Sequence, residues 1–287
     1  MSDYLPQSSG VYRIDSKTGD IVWFFESTGG VRNTVAVDGD RVYAQDATGD
    51  FYCLDARSGA LLWKKELRFS GSDFTRNPVL CVGDMVLGGI NKEIYAFHKV
   101  TVELIWHFTA PWGCVSSARC VYDEATKSIV LSSQWYSLIC IEADTGTLRW
   151  EKKDSLVWHR NSTPVVENGR IYTCGEHEMG ILDIKTGDII AKKTVDTEFK
   201  TVGAPTIYRD TIFVPTAQCG VAAYDKKTLH LIRLYPTGHS RIFTVPYIFN
   251  EGEVQMVESS PIIRMMCSSS PPVTDMLIFT KLKLQDL

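Results

Sequence analysis

Three Arg–Asn pairs and one Lys–Thr pair stand just ahead of apolar runs, and their side chains are suited to holding a charged ligand. Arg32-Asn33 precedes Thr34–Val37 and Arg76-Asn77 precedes Pro78–Cys81. Arg160-Asn161 precedes Ser162–Val166, with two extra residues before its Pro-Val step, and Lys200-Thr201 precedes Val202–Ile207. A guanidinium presents a planar fork of donors that fits a carboxylate or phosphate, and an ammonium adds a point charge. Trp158, Trp112, Trp135 and Phe74 lie in comparable connecting stretches, where exposed aromatics on one face would form a protein-binding patch. The chemistry on offer is recognition of a small anion or an acidic peptide segment. The opposing reading is structural: Asn caps the loop, Arg pairs with a neighbouring acid, and the aromatics pack beneath long loops.

Chemistry of other kinds leaves little trace. There is no Gly-x-Ser-x-Gly, no His-Glu-x-x-His and no phosphate-cradling loop. The Gly-rich Ser27-Thr28-Gly29-Gly30 turn has no helix after it. His159 and His177 stand apart from any Cys, Asp or Glu spacing that would signal a metal, so none is expected. The cysteines at 53, 81, 114, 120, 140, 174, 219 and 267 include no adjacent pair and no Cys-x-x-Cys. Cys53 and Cys140 sit in apolar runs as buried thiols would, and Cys114 with Cys120 is the one disulfide worth testing. A net charge of −4 gives no reason to expect nucleic acid as a partner. No run approaches the roughly 18–20 apolar residues of a membrane span. Met1 to Gly10 is polar, so no signal peptide is expected in the chain as given.

The elements that must carry these loops come from an internal repeat. One copy reads Val11-Tyr12-Arg13-Ile14-Asp15-Ser16-Lys17-Thr18-Gly19-Asp20-Ile21-Val22-Trp23; the next carries Asp55, Gly59 and Trp63. The fourth has Glu142, Gly146 and Trp150, and the fifth has Asp183 and Gly187 with Ala191 for Trp. Two copies are degenerate. The third has His98 and Val102 for Asp and Gly but keeps Trp106; the sixth keeps Asp225 but has Leu229 for Gly and Arg233 for Trp. The acidic position falls at 15, 55, 98, 142, 183 and 225, in steps of 40, 43, 44, 41 and 42. Periods of this size mark repeat architectures.

Each residue of the unit has a physical task. Alternating apolar runs on both sides of a turn make a hairpin. The Asp oxygen accepts backbone N–H groups within the turn, and Gly supplies the positive φ that such a turn needs. Trp on the outgoing strand offers a large face to the neighbouring unit. A second hairpin lies between these, as in Thr34–Val37 turning at Asp38-Gly39-Asp40 into Arg41-Val42-Tyr43. Four strands per period mean propeller blades. With strands lettered A to D, the A–B hairpins fall near 34–45, 78–88, 116–132, 163–174, 204–215 and 259–280. The expected fold is an all-β propeller of four-stranded antiparallel blades in a single domain over 1–287. Six blades is the simplest count, the N-terminal C–D hairpin joining the C-terminal A–B pair to close the ring. A seven- or eight-bladed ring with part missing is the alternative, raised by the long 234–260 stretch and the unmatched Lys281–Leu287 tail.

The Asp-x-x-Thr-Gly-x-x-x-Trp unit resembles the pyrroloquinoline-quinone (PQQ)-like repeat, best at 51–63 and 138–150 and well at 11–23. That family includes quinoprotein alcohol dehydrogenases, an outer-membrane-assembly lipoprotein, and propellers appended to phosphoesterases or kinases; its members are often periplasmic or extracytoplasmic. The resemblance implies PQQ, calcium and a disulfide between adjacent cysteines only for the dehydrogenases, and this chain has no adjacent cysteines. The expectation is therefore a non-catalytic binding propeller without PQQ. Its protein partner or small anionic ligand would sit on the loops at the channel mouth, at Arg32, Asn33, Arg76, Asn77, Trp158, Arg160, Asn161 and Lys200. The alternatives are a quinoprotein-like oxidoreductase and the propeller portion of a larger enzyme such as a phosphoesterase.

Overall fold

The computed structural model describes residues 10–15, 17–31, 35–67, 79–90, 92–110, 120–132, 137–153, 163–175, 178–194, 205–216, 220–236, 262–263 and 276–277. All regular structure among them is β-strand. Strands β1 (Gly10–Ile14) and β2 (Ile21–Glu26) form an N-terminal hairpin. Blade 1 is β3 (Ala36–Asp38), β4 (Arg41–Gln45), β5 (Phe51–Asp55) and β6 (Leu61–Lys65). Blade 2 is β7 (Leu80–Val82), β8 (Met85–Ile90), β9 (Glu93–His98) and β10 (Leu104–Thr109). Blade 3 is β11 (Val121–Asp123), β12 (Ser128–Ser132), β13 (Ser137–Glu142) and β14 (Leu148–Lys153). Blade 4 is β15 (Val165–Glu167), β16 (Arg170–Cys174), β17 (Glu178–Asp183) and β18 (Ile189–Thr194). Blade 5 is β19 (Thr206–Tyr208), β20 (Thr211–Thr216), β21 (Gly220–Asp225) and β22 (Leu231–Pro236), and a last hairpin pairs β23 (Ile262–Ile263) with β24 (Met276–Leu277). In each blade the strands pair antiparallel in chain order, A to D. The chain is a multi-blade β-propeller.

Burial depends on position within the blade. The B and C strands, covered on both faces, read as nearly unbroken apolar runs; Phe51, Tyr52, Cys53 and Leu54 are all buried. The D strands lie at the rim and alternate, their first residues exposed. The apolar clusters sit between consecutive sheets. One joins Val11 of the N-terminal hairpin to Tyr52 and Leu54 of blade 1, and another joins Tyr43, Phe51 and Cys53 to Val86 and Phe97 of blade 2. Each blade is thus stabilised mainly by its neighbours, at about 25 cal/mol for each Å² of apolar surface removed from water.

The repeat residues build the junctions. Asp15, Asp55, Asp183 and Asp225 each accept two backbone N–H groups of their own turns at 2.7–3.1 Å. Glu142, one methylene longer, instead pairs with Arg149 at 3.3 Å and accepts the Thr145 hydroxyl. Four residues on, each turn takes a positive φ, at Gly19, Gly59, Gly146 and Gly187 and also at Val102 (63°) and Leu229 (57°). In all six C–D hairpins the register then skips the residue before the tryptophan position: Arg13 faces Trp23 and Ile14 faces Ile21, leaving Val22 as a bulge. A bulge re-aims the next side chain. It turns the indole toward the following blade, where Nε1 donates to the carbonyl one residue past the acidic position. The bonds run from Trp23 to Ala56, Trp63 to Lys99, Trp106 to Ala143 and Trp150 to Ile184, at 2.8–3.1 Å.

The ring of that indole rests on the next blade's glycine. A Cβ on Gly59, Gly146 or Gly187 would meet Trp23, Trp106 or Trp150 at 2.6–2.7 Å. The glycine therefore serves two ends, the backbone conformation and the seat. In the two turns without glycine, a lysine stands next to the acidic position and bridges to the preceding blade. Lys99 pairs with Asp38, and Lys226 pairs with Glu167 at 2.6 Å while also donating to the Arg209 carbonyl.

The six A–B and six C–D hairpins stand where the repeat places them. The joining of the end halves into one blade is not made among the described residues: β1–β2 and β23–β24 are separate two-stranded sheets. Cys120 is a free, buried thiol rather than half of a disulfide with Cys114, and Cys53, Cys81, Cys140 and Cys174 are free as well.

Candidate ligand-binding face

The D-to-A and B-to-C loops leave the sheets at the same end of the blades, opposite the turns that carry Asp and Gly. At one such corner the B-to-C loop, residues 46–50, is described in full. Asp46, at the end of β4, is completely buried. Its Oδ2 accepts the Gly29 amide and the Tyr52 hydroxyl, each at 2.8 Å. Its Oδ1 accepts the Thr48 amide at 2.9 Å, the Thr48 hydroxyl at 2.7 Å and the Asp50 amide at 3.0 Å. A buried carboxylate is tolerable only with this degree of satisfaction. The Thr28 amide donates to the Tyr52 hydroxyl at 3.0 Å, and the Ala47 amide to the Gly30 carbonyl at 2.8 Å. Burial pushes Tyr52 up to about 12, so its hydroxyl stays a donor to Asp46 across the physiological range. Lys64 closes the corner, 2.7 Å from Asp50.

This corner clamps residues 27–30, which Val31 separates in sequence from Arg32-Asn33. A Cβ on Gly29 would lie 2.9 Å from the Thr48 methyl, so Gly29 is there for close approach rather than for holding phosphate. Next door, the Gln45 Oε1 accepts the Gly89 amide of blade 2 at 2.9 Å. Its buried amide nitrogen has no hydrogen-bond partner among the described residues. Asp46 escaped the repeat-based reading because it belongs to no repeated position. The Asp-x-Thr-Gly run from Asp46 to Gly49, an Asp whose side chain can accept the amides that follow it, is the signal that could have found it.

Arg32, Asn33, Arg76, Asn77, Trp158, Arg160, Asn161 and Lys200 all lie outside the described residues, as do Phe74, Trp112, Trp135, His159 and His177. His98 is described, and its imidazole accepts two backbone amides in place of Asp. No group of three or more metal-ligating side chains occurs among the described residues, which also hold no helix long and apolar enough to cross a membrane. A cleft of about 880 Å³ beside β1, lined in part by Val11, Trp23, Val37, Val42 and Arg57, lies at the other end of the blades, by the A–B and C–D turns. It is remote from the loop face, and its walls combine packing residues of the junction with the charged Arg13, Asp40, Asp55 and Arg57.

The profile of the family described as outer membrane protein assembly factor BamB matches residues 7–231. The chain belongs to the BamB family. The crystal structure of BamB from Moraxella catarrhalis superposes with a TM-score of 0.62 at 18% identity, over 80% of this chain and 74% of that one. Quinohemoprotein alcohol dehydrogenase from Comamonas testosteroni superposes with a TM-score of 0.59 at 12% identity, over 72% of this chain and 43% of its own. Among curated sequences, tetrathionate hydrolase of Acidithiobacillus ferrooxidans is 21% identical over 232 residues, or 73% of this chain. The chain spans 46% of that relative's length. At these identities the superpositions establish the propeller fold that the BamB family shares with an assembly factor and a dehydrogenase alike.

Proposed function

We propose that this chain is a non-catalytic binding propeller whose loop face takes an acidic segment of a protein partner. The reading rests on where the chain spends its distinctive residues. The Asp, Gly and Trp residues of the described repeats are engaged in turns and junctions, and the buried carboxylate Asp46 is consumed in holding a loop. What varies from blade to blade is the loop content, and there the sequence places Arg32, Asn33, Arg76, Asn77, Trp158, Arg160, Asn161 and Lys200. Guanidinium forks with amide donors suit carboxylates, and Trp158 adds an aromatic anchor. The Gln45 amide, unpartnered among the described residues, is a further donor beside this face. The likeness to an outer membrane protein assembly factor supports a protein-binding role and a location outside the cytoplasm, which cell fractionation would test.

Isothermal titration of an acidic peptide, citrate and inorganic phosphate into wild type and Arg32→Ala/Arg76→Ala tests the site. Binding of the peptide that weakens at least tenfold in the double variant is expected; equal heats in both proteins would overturn it. Binding of citrate or phosphate alone would make the ligand a small anion. The chain is proposed to work without PQQ. The residues do not fit the dehydrogenase pattern, because no two of its cysteines are adjacent and the described ones are single free thiols within the blades. Bound quinone absorbance after incubation with PQQ and calcium would favour the oxidoreductase instead.

A further inference from the structure

The turn between β9 and β10 departs from its counterparts in one respect that changes its response to acid. Where the others use a carboxylate, His98 presents Nδ1, which accepts the Val100 amide at 3.2 Å and the Thr101 amide at 3.1 Å. Only a bare ring nitrogen can do this, so the geometry assigns the proton to Nε2; an imidazolium has no acceptor left. Imidazole is also the side chain that changes charge between pH 5 and 8. The turn is otherwise built like the rest, with the Val102 amide donating to the His98 carbonyl at 3.0 Å, but it holds a β-branched residue at φ 63°. It has little conformational margin.

Lys99, the next residue along the chain, gives the turn its reach. The Lys99 carbonyl accepts both the Trp63 indole at 3.0 Å and the Arg41 guanidinium at 3.1 Å, two groups of blade 1. The Lys99 ammonium pairs with Asp38 of blade 1 and donates to the Gly83 carbonyl, and its amide donates to the Asp84 carbonyl at 2.8 Å. Every polar tie described between the C–D turn of blade 2 and blade 1 thus runs through the residue next to His98.

We propose that His98 makes the junction between blades 1 and 2 an acid-sensitive joint, closed while the imidazole is neutral and loosened when it takes up a proton. Among the described residues, the charged groups around the turn are Lys99 and Glu103 on the turn itself, Asp84 on the β7–β8 turn, and Asp38, Asp40 and Arg41 across the junction; none is an imidazole. The blade's other described imidazole, His107, lies on β10, 2.5 Å from Glu93 and stacked on Tyr95, and must be controlled for.

Residue-resolved amide exchange, expressed as protection factors at about pH 7.5 and pH 5.5, tests the joint. In wild type, Val100 and Thr101 should lose protection about fivefold relative to Lys185 and Thr186, the loss expected for one net hydrogen bond. His98→Asp, which installs the acceptor used by four other turns, should fold and hold the ratio constant. His107→Gln should keep the wild-type drop. A constant ratio in wild type, an unchanged drop in His98→Asp, or loss of the drop in His107→Gln would each overturn the proposal.

Discussion

Leu229 and Ala191 belong to one apolar cluster across the junction between blades 4 and 5, with Leu229 buried at the turn position that Gly59, Gly146 and Gly187 hold elsewhere. The two substitutions are one event in physical terms. Without Trp at 191 a glycine at 229 would leave a void, and the buried Leu229 side chain takes up that space instead. Leu229→Gly should therefore cost about 2–4 kcal/mol, a cavity term partly offset by relief of its positive φ. Ala191→Trp alone should cost about 1–3 kcal/mol by overpacking. Combined, they should recover most of the loss. A double-mutant cycle by urea denaturation measures this, and strict additivity would refute the coupling.

Glycine seats should be far less tolerant than glycine turns. Gly146→Ala meets the Trp106 ring as well as φ 69°, whereas Gly83→Ala meets open space at φ 51°. The first should lower stability by about 2–3 kcal/mol and the second by about 1 kcal/mol, read from chemical denaturation.

Trp150→Phe keeps most of the packing but leaves the Ile184 carbonyl, which the indole reaches at 2.9 Å, with only the weak Cys140 thiol donor at 3.7 Å. A loss of about 1–3 kcal/mol is expected by thermal or chemical unfolding.

Acid should act on the turns through their carboxylates. Backbone amides of Lys17 and Thr18 hold Asp15 below its ordinary value; the Ser58 hydroxyl and amide do so for Asp55, and the Thr228 amide and hydroxyl for Asp225. A folded-state value below the unfolded one contributes stability above the unfolded value, which is lost as pH falls through the folded one. Asp225→Asn should thus flatten the Tm-against-pH curve below about pH 4 and leave it parallel to wild type above about pH 6.

The described thiols should be inert. Burial pushes Cys120 and Cys174 up to about 12 and Cys81 up to about 11. At about pH 7.5, N-ethylmaleimide should label these three positions only after unfolding, as peptide mass mapping would reveal.

The period, the hairpins and the turn chemistry were legible in the sequence because they are local: Asp15, Gly19 and Trp23 lie within nine residues and recur. The seat was not legible, because the partner of Trp106 is Gly146, in another copy, and nothing within one copy says what its glycine faces. His98 and Leu229 looked like decay for the same reason. His98 keeps the acceptor in a new form, and Leu229 is matched to Ala191 rather than to its own turn. On the loop face, Asp46 lacked a repeated counterpart to compare with, and loops of unequal length gave the Arg–Asn pairs no common register.

The offset of each junction by one copy has a consequence for how such a chain can be rearranged. A blade moved elsewhere in the ring carries its seat but not the side chain shaped to fill it. Blade 5 placed after blade 3 would drive Trp150 into Leu229, and blade 4 in front of blade 3 would leave Gly146 facing Ala191 across a hole. The order of the copies is therefore encoded in their contacts, and a duplication succeeds only if it brings both sides of a joint together.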